Sequence, residues 1–147
     1  MTRIDFYVLP DTDPAQRPLL ACKLAEKAYS QGLKVYIHAA DAGEAARLDE
    51  LLWTFKAGSF IPHALQSGAT DEPPPVLIGH DHEPLCRPDT QWDVLINLGH
   101  DIPRFFSRFE RVAELVDQRT ELLAQSRERF RYYRERGYEL NTHQLKG

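Results

Sequence analysis

Three short stretches carry the side chains able to do chemistry. "LIGHDHE" (77–83) and "NLGHDIP" (97–103) each close an apolar run with Gly-His-Asp. If both runs are strands, His80, Asp81, His82, His100 and Asp101 would converge at one sheet edge, where they would bind a metal or exchange protons. His82 with Cys86 four residues later matches no standard zinc spacing, so solvated loop residues are the favoured reading and a metal-dependent or nucleotide-using hydrolase is the alternative. The third stretch, "RERFRYYRERG" (127–137), interleaves five arginines with three aromatics. Such a pattern suits single-stranded nucleic acid, an acidic peptide, or a solvated helix face.

Helical phasing narrows these three. At about 100° per residue, Leu122, Ser126 and Tyr133 point one way, and Leu123 and Phe130 lie at the edge of that face. Arg127, Arg131 and Arg134 follow just beyond on one stripe, linked by i,i+4 and i,i+3 steps. Guanidinium groups capture carboxylates or phosphates in a two-pronged fashion, and an adjoining apolar notch would take a side chain. A single aromatic beside the stripe fits an acidic peptide with a hydrophobic end better than it fits stacked bases. Arg129 and Arg136 fall outside the stripe and are expected to be solvated.

A second cluster lies in "LWTFKAGSFIPHAL" (52–65), where Trp53, Phe55, Phe60 and Ile61 surround a Gly-containing turn ahead of Pro62. Read from the residues alone, it is either a protein contact or part of the core. The chain contains no Gly-x-Gly-x-x-Gly and no Gly-Lys-Ser/Thr loop. The turn after the first expected strand, "PDTDPAQRP", offers acids and prolines where a phosphate would want glycine amides, which disfavours nucleotide binding in the usual mode.

The elements that position these groups read as follows. "RIDFYVL" (3–9) is strand-like and is followed by a helical pattern in which Leu19, Leu20, Lys23, Leu24, Lys27 and Ala28 recur before the stop at Gly32. "KVYIHAA" (34–40) is a second strand. The next helix has Asp41 as N-cap and Leu48, Leu51 and Leu52 inside. Residues 56–75 look like loop. "PVLIGH" and "DVLINLGH" read as strands buried on both faces. Residues 111–116 fit either strand or helix, and a helix from about Gln118 to Arg136 is closed by Gly137. The alternation of strand and helix predicts an α/β fold: one domain over 1–147, with a mostly parallel, Rossmann-like sheet flanked by helices and a C-terminal helix plus tail.

Bulk properties agree. With 147 residues, 42% hydrophobic and 27% charged, the chain has the composition of a soluble globular domain. It has no apolar run of membrane-spanning length and no signal-peptide pattern. Two cysteines without a Cys-x-x-Cys pair suggest a cytosolic protein with reduced thiols. The net charge is −4, yet residues 127–147 carry six Lys/Arg against three Asp/Glu. A local basic patch on an acidic body argues against broad nucleic-acid binding and for a small acidic target.

Four segments, "DFYVL", "RLDELLWTFKAGSFIPHAL", "WDVLINL" and "RERFRYYRERGYELNT", resemble the chi subunit family of bacterial DNA polymerase III, and the resemblance extends over essentially the whole chain. It implies a non-catalytic accessory subunit in the cytoplasm, at the replisome on the nucleoid, with no cofactor, no bound metal and no membrane contact. Such a subunit links the psi subunit, and through it the clamp loader, to the acidic C-terminal tail of the single-stranded DNA-binding protein, so that contact with DNA is indirect. The resemblance also implies a strand at 111–116. By matching position it implies that Arg127 and Arg131 contact the tail and that Phe130 helps form its apolar pocket. Val116, Gly137, Leu140 and Thr142 would line the same region, and Arg134 shares the stripe. Leu123 stands where some relatives have a lysine, a loss of charge for which Arg119 or Arg134 would compensate. Trp53, Phe60, Ile61 and Pro62 match the segment that contacts psi. None of the histidines in the Gly-His-Asp motifs matches a functional position.

Overall fold

The near-continuous apolar runs become the middle of the sheet. The structure, a computed structural model, describes residues 2–58, 60–66, 74–80 and 92–146. Its strands are β1 (Arg3–Val8), β2 (Val35–Ala39), β3 (His63–Leu65), β4 (Val76–His80), β5 (Trp92–Asn97), β6 (Phe109–Val116) and β7 (Glu139–Gln144). They form one sheet in the order β3-β4-β2-β5-β6-β1-β7, with every pairing parallel. In β2 and β4 the residues Val35, Tyr36, Ile37, Val76, Leu77 and Ile78 are completely buried. Such burial is the expected state of strands covered on both faces.

The helices are α1 (Gln16–Ser30), α2 (Ala42–Thr54) and α3 (Thr120–Glu135). The first two cover one face and α3 the other, giving two cores. The row that α1 turns to the sheet is Ala21, Cys22, Ala25 and Ala28, and Leu20 and Leu24 pack only partly buried against that core. Small residues let the helix lie close to the strands, so the leucines flank the contact instead of filling it. Asp41 caps α2 as the sequence suggests: its Oδ1 accepts from the Glu44 N–H at 2.8 Å, and Glu44 Oε1 accepts from the Ala40 N–H at 2.8 Å.

Three stretches differ from the sequence reading or sharpen it. Residues 56–75 are not all loop, since His63–Leu65 add a short strand at one sheet edge. Residues 109–116 are strand, resolving the ambiguity at 111–116 in the direction the resemblance implied. The tail after Gly137 is a strand as well. Gly137 turns the chain at φ +80°, a conformation that favours glycine, and β7 then runs along β1 with Leu140 opposite Ile4 and Thr142 opposite Phe6.

Candidate functional site

A cavity of about 320 Å³ opens where α3 crosses the β7 end of the sheet. Alternation along β1 sends Phe6 and Val8 to the α3 side, opposite Asp5 and Tyr7. Phe6, Val8 and Val116 of β6 form the sheet-side wall, and Thr142 and Gln144 of β7 form the rim. The helix contributes Leu123, Ser126, Arg127 and Phe130. Phe130 stands with its ring centroid 5.4 Å from that of Phe6, tilted by 55°. Leu123 and Phe130 are half-buried, while Arg127 is exposed at the mouth. The result is an apolar slot with a cation at its entrance. A hydrophobic side chain would enter the slot, and a carboxylate would meet the guanidinium.

Of the residues grouped for this surface, Val116, Leu123, Arg127, Phe130 and Thr142 converge on the slot. Gly137 contributes the turn, and Leu140, opposite Ile4, packs against the same core as Phe130 without lining the slot. The arginine stripe divides. Arg134 leans over the Phe130 ring, 6.0 Å from its centroid. Arg131 pairs with Glu128 at 3.6 Å and lines a separate groove of about 830 Å³ between α3 and residues 100–104. Arg119 is already committed, because its Nε donates to both Asp117 oxygens at 2.9 Å. Arg134 is thus the freer of the two cations that the resemblance offered as compensation at Leu123.

Arg129 corrects the expectation of a solvated side chain. It is only 4% exposed, its Nε lies 3.1 Å from Glu114 Oε1, and its Nη1 donates to the His100 carbonyl at 2.8 Å. Glu114 is fully buried; it accepts from Tyr133 Oη at 2.6 Å and from Asn97 Nδ2 at 3.0 and 3.1 Å. Burial raises the Glu114 carboxyl above its ordinary range, against the pull of Arg129, Tyr133 and Asn97. The periodicity held the clue: position 129 lies three residues from Ser126 and four from Tyr133, on the buried face. Arg136 is exposed as expected and stacks on Tyr132, 3.5 Å from the ring centroid. The sequence reading also missed Phe6 and Val8, although the alternation of β1 places them opposite α3.

At the other edge of the sheet, Trp53 is 53% exposed and Phe60 80% exposed. These two are the large hydrophobic side chains exposed among the described residues, which favours a contact surface over a core. The Trp53 ring rests against His63, centroids 4.4 Å apart, and the His63 ring nitrogens bind the carbonyls of Ile61 (2.6 Å) and Asp49 (2.9 Å). Pro62 is exposed, but Ile61 is 2% exposed and belongs to the core. Ile61 thus anchors the segment from inside and presents no side chain to a partner.

The two Gly-His-Asp motifs end at the same carboxyl edge of the parallel sheet, but two strand positions apart. β2 lies between them, so His80, which ends β4, and His100, which follows β5, are not on neighbouring strands. Asp81, His82 and Cys86 lie outside the described residues. Among the described residues no group of three His, Cys, Asp or Glu side chains is placed to hold a metal, and no helix is long and apolar enough to cross a membrane.

Comparison with known proteins decides the family. The family model described as "DNA polymerase III chi subunit, HolC" matches residues 1–141. The chain belongs to the DNA polymerase III chi subunit family. The protein named DNA polymerase III subunit chi in Pseudomonas aeruginosa is 45% identical over 145 residues, covering 99% of this chain and 98% of the relative. Its namesake in Escherichia coli is 34% identical over 147 residues, covering 97% of each chain. That name denotes an accessory subunit of a replicative polymerase, which agrees with a non-catalytic chain in DNA replication. Among solved structures, T4 UvsW superposes with a TM-score of 0.72 over 98% of this chain and 41% of its own, at 10% identity. This last likeness concerns the fold alone.

Proposed function

We propose that this chain is a soluble, cytoplasmic adaptor of the replicative polymerase that captures the acidic C-terminal tail of the single-stranded DNA-binding protein in the slot between α3, β1, β6 and β7. The observation that carries this reading is the slot itself, an apolar cavity of about 320 Å³ with Arg127 at its mouth and Phe130 inside it. The terminal apolar side chains of the tail enter beside Phe130 and Val116, and Arg127 pairs with the terminal carboxylate. Arg131 and Arg134, exposed on the same helix, attract the acidic residues upstream. A second surface, Trp53 with Phe60 and Pro62, holds psi and through it the clamp loader. Direct binding of single-stranded DNA is the weaker reading, because the arginine stripe divides between two grooves and forms no continuous basic track for a backbone.

Titration with an acidic peptide ending in two apolar residues tests the reading. Arg127→Ala should cost about 1.5–3 kcal/mol of binding, roughly ten- to hundredfold in Kd, as for other charge-assisted hydrogen bonds. Affinity unchanged in that variant would remove the slot from consideration. A gel shift with DNA alone distinguishes peptide capture from direct DNA binding.

A further inference from the structure

A third cavity, about 620 Å³, lies away from both proposed partner surfaces, at the ends of β2 and β5. From β2 the chain crosses toward β3 and β4, and from β5 it crosses toward β6, so connections leave this pair of strands in opposite directions. In open parallel sheets such a divergence forms a crevice outside the carboxyl ends of the strands, and Ala40 and Leu98 mark it here.

The cavity holds an unusual cation. Arg17, in the first turn of α1, is 6% exposed, and its Nε donates to the Leu115 carbonyl at 2.8 Å. Among the described residues Arg17 makes no ion pair within 4.0 Å, and no hydrogen bond reaches its two terminal nitrogens. Those nitrogens are not enclosed: they border the cavity. A buried guanidinium without a carboxylate is costly, and natural proteins rarely leave one so. Burial lowers the Arg17 pKa from its ordinary range, and the more distant carboxylates of Glu44, Glu114 and Asp117 only partly restore it. Arg47, exposed at the cavity's edge, likewise makes no ion pair among the described residues.

The resident acids are engaged elsewhere. Asp41 caps α2, Glu44 accepts from Ala40 N–H, and Asp117 holds Arg119. Helix α1 begins beside the cavity with no acid in its first turn, and the one carboxylate at its start, Asp13, accepts from the Ala15 N–H at 3.0 Å. Leu48, Leu51 and Leu98 supply an apolar wall beside the arginines.

We propose that this cavity binds a small phosphate monoester carrying an apolar or planar body, the phosphate between Arg17 and Arg47 and the body against the leucines. The phosphate is bound by guanidinium forks instead of glycine amides, which is why no phosphate-loop motif marks the site in the sequence. A cavity of this volume suits a small ligand and is too confined for a folded partner.

The test is an amide-shift titration of the full chain with inorganic phosphate and with adenosine 5′-monophosphate, ionic strength held constant with sodium chloride. Saturable shifts near Ala40 and Leu98 are expected, with the nucleotide binding at least fivefold tighter than phosphate. Arg17→Met should weaken binding at least fivefold. Because that change also removes the bond to Leu115, Arg47→Met serves as the second variant; its side chain is exposed, and it should fold normally and lose at least threefold in affinity. Acidic-peptide affinity should stay constant in Arg47→Met, so failure here and failure of the tail-binding slot are separable. Non-saturable shifts, equal affinity for the two probes, or unchanged binding in Arg47→Met would overturn the proposal.

Discussion

At the scale of single residues, arginines on one helix do different things according to their phase. Arg127 stands at the mouth of an apolar slot, Arg131 faces another groove, Arg136 stacks on Tyr132, and Arg129 is buried against Glu114. Removing one partner of a buried ion pair leaves the other charge uncompensated, at a cost of about 3–5 kcal/mol. Arg129→Met should therefore lower the melting temperature by roughly 6–20 °C at the scaling of about 2–4 °C per kcal/mol for a chain of this size. Restoring charge balance with Glu114→Gln in the same chain should recover part of the loss. Arg136→Ala, on the surface, should stay within about 0.5 kcal/mol of the parent. Thermal unfolding of the four proteins checks the set, and equal effects of the Arg129 and Arg136 changes would contradict the buried pair. Composition could not separate these arginines. Phase could have done so, since Leu122, Ser126, Arg129 and Tyr133 share one face.

At the scale of elements, the entry to α3 is fixed by Asp117 and Arg119. Burial pushes the Asp117 carboxyl up, but the hydrogen bonds and charge of Arg119 outweigh it, and the carboxyl lies below its ordinary range. A carboxyl depressed in the folded state adds stability above its unfolded pKa, and that stability disappears as pH falls through the folded value. Arg119→Gln should thus be less stable than the parent at neutral pH, with the gap closing below about pH 4, where an unfolded aspartate takes up its proton. Stability curves from pH 2 to 7 check this, and a gap independent of pH would dissociate Arg119 from the carboxyl. Elements differed in how far their sequences revealed them. β4 and β5 were legible because strands covered on both faces must be continuously apolar. β6 was ambiguous because its inward position 114 is a glutamate, whose partners Asn97, Arg129 and Tyr133 come from distant segments. β3 was hidden because three residues flanked by loop carry too little pattern. β7 reads as polar tail because an edge strand buries little: Leu140 alone of "ELNTHQ" packs into the core.

At the scale of the whole molecule, the two proposed partner surfaces occupy opposite edges of one sheet. Trp53 and Phe60 flank β3, and the peptide slot is rimmed by β7, with five strands between these edges. At about 4.8 Å per strand step the surfaces are roughly 29 Å apart, well beyond the screening length of about 8 Å at physiological salt. Sites this far apart with no shared partner residues usually contribute additively, so they should act independently. Independence suits an adaptor, since a tether to a template-coating protein raises the local concentration of whatever the far edge holds, without requiring either contact to be strong. Trp53→Ala and Phe60→Ala should therefore release psi while leaving acidic-peptide affinity within about 0.5 kcal/mol of the parent, and Arg127→Ala should do the converse. In the double variant Trp53→Ala/Arg127→Ala the two losses should add. Calorimetric titration of each variant with psi and with the peptide measures both affinities. A coupling above about 0.5 kcal/mol would mean that the edges communicate through the sheet, whereas unfolding of Trp53→Ala would show that a side chain half in solvent nonetheless holds the core together through its contact with His63.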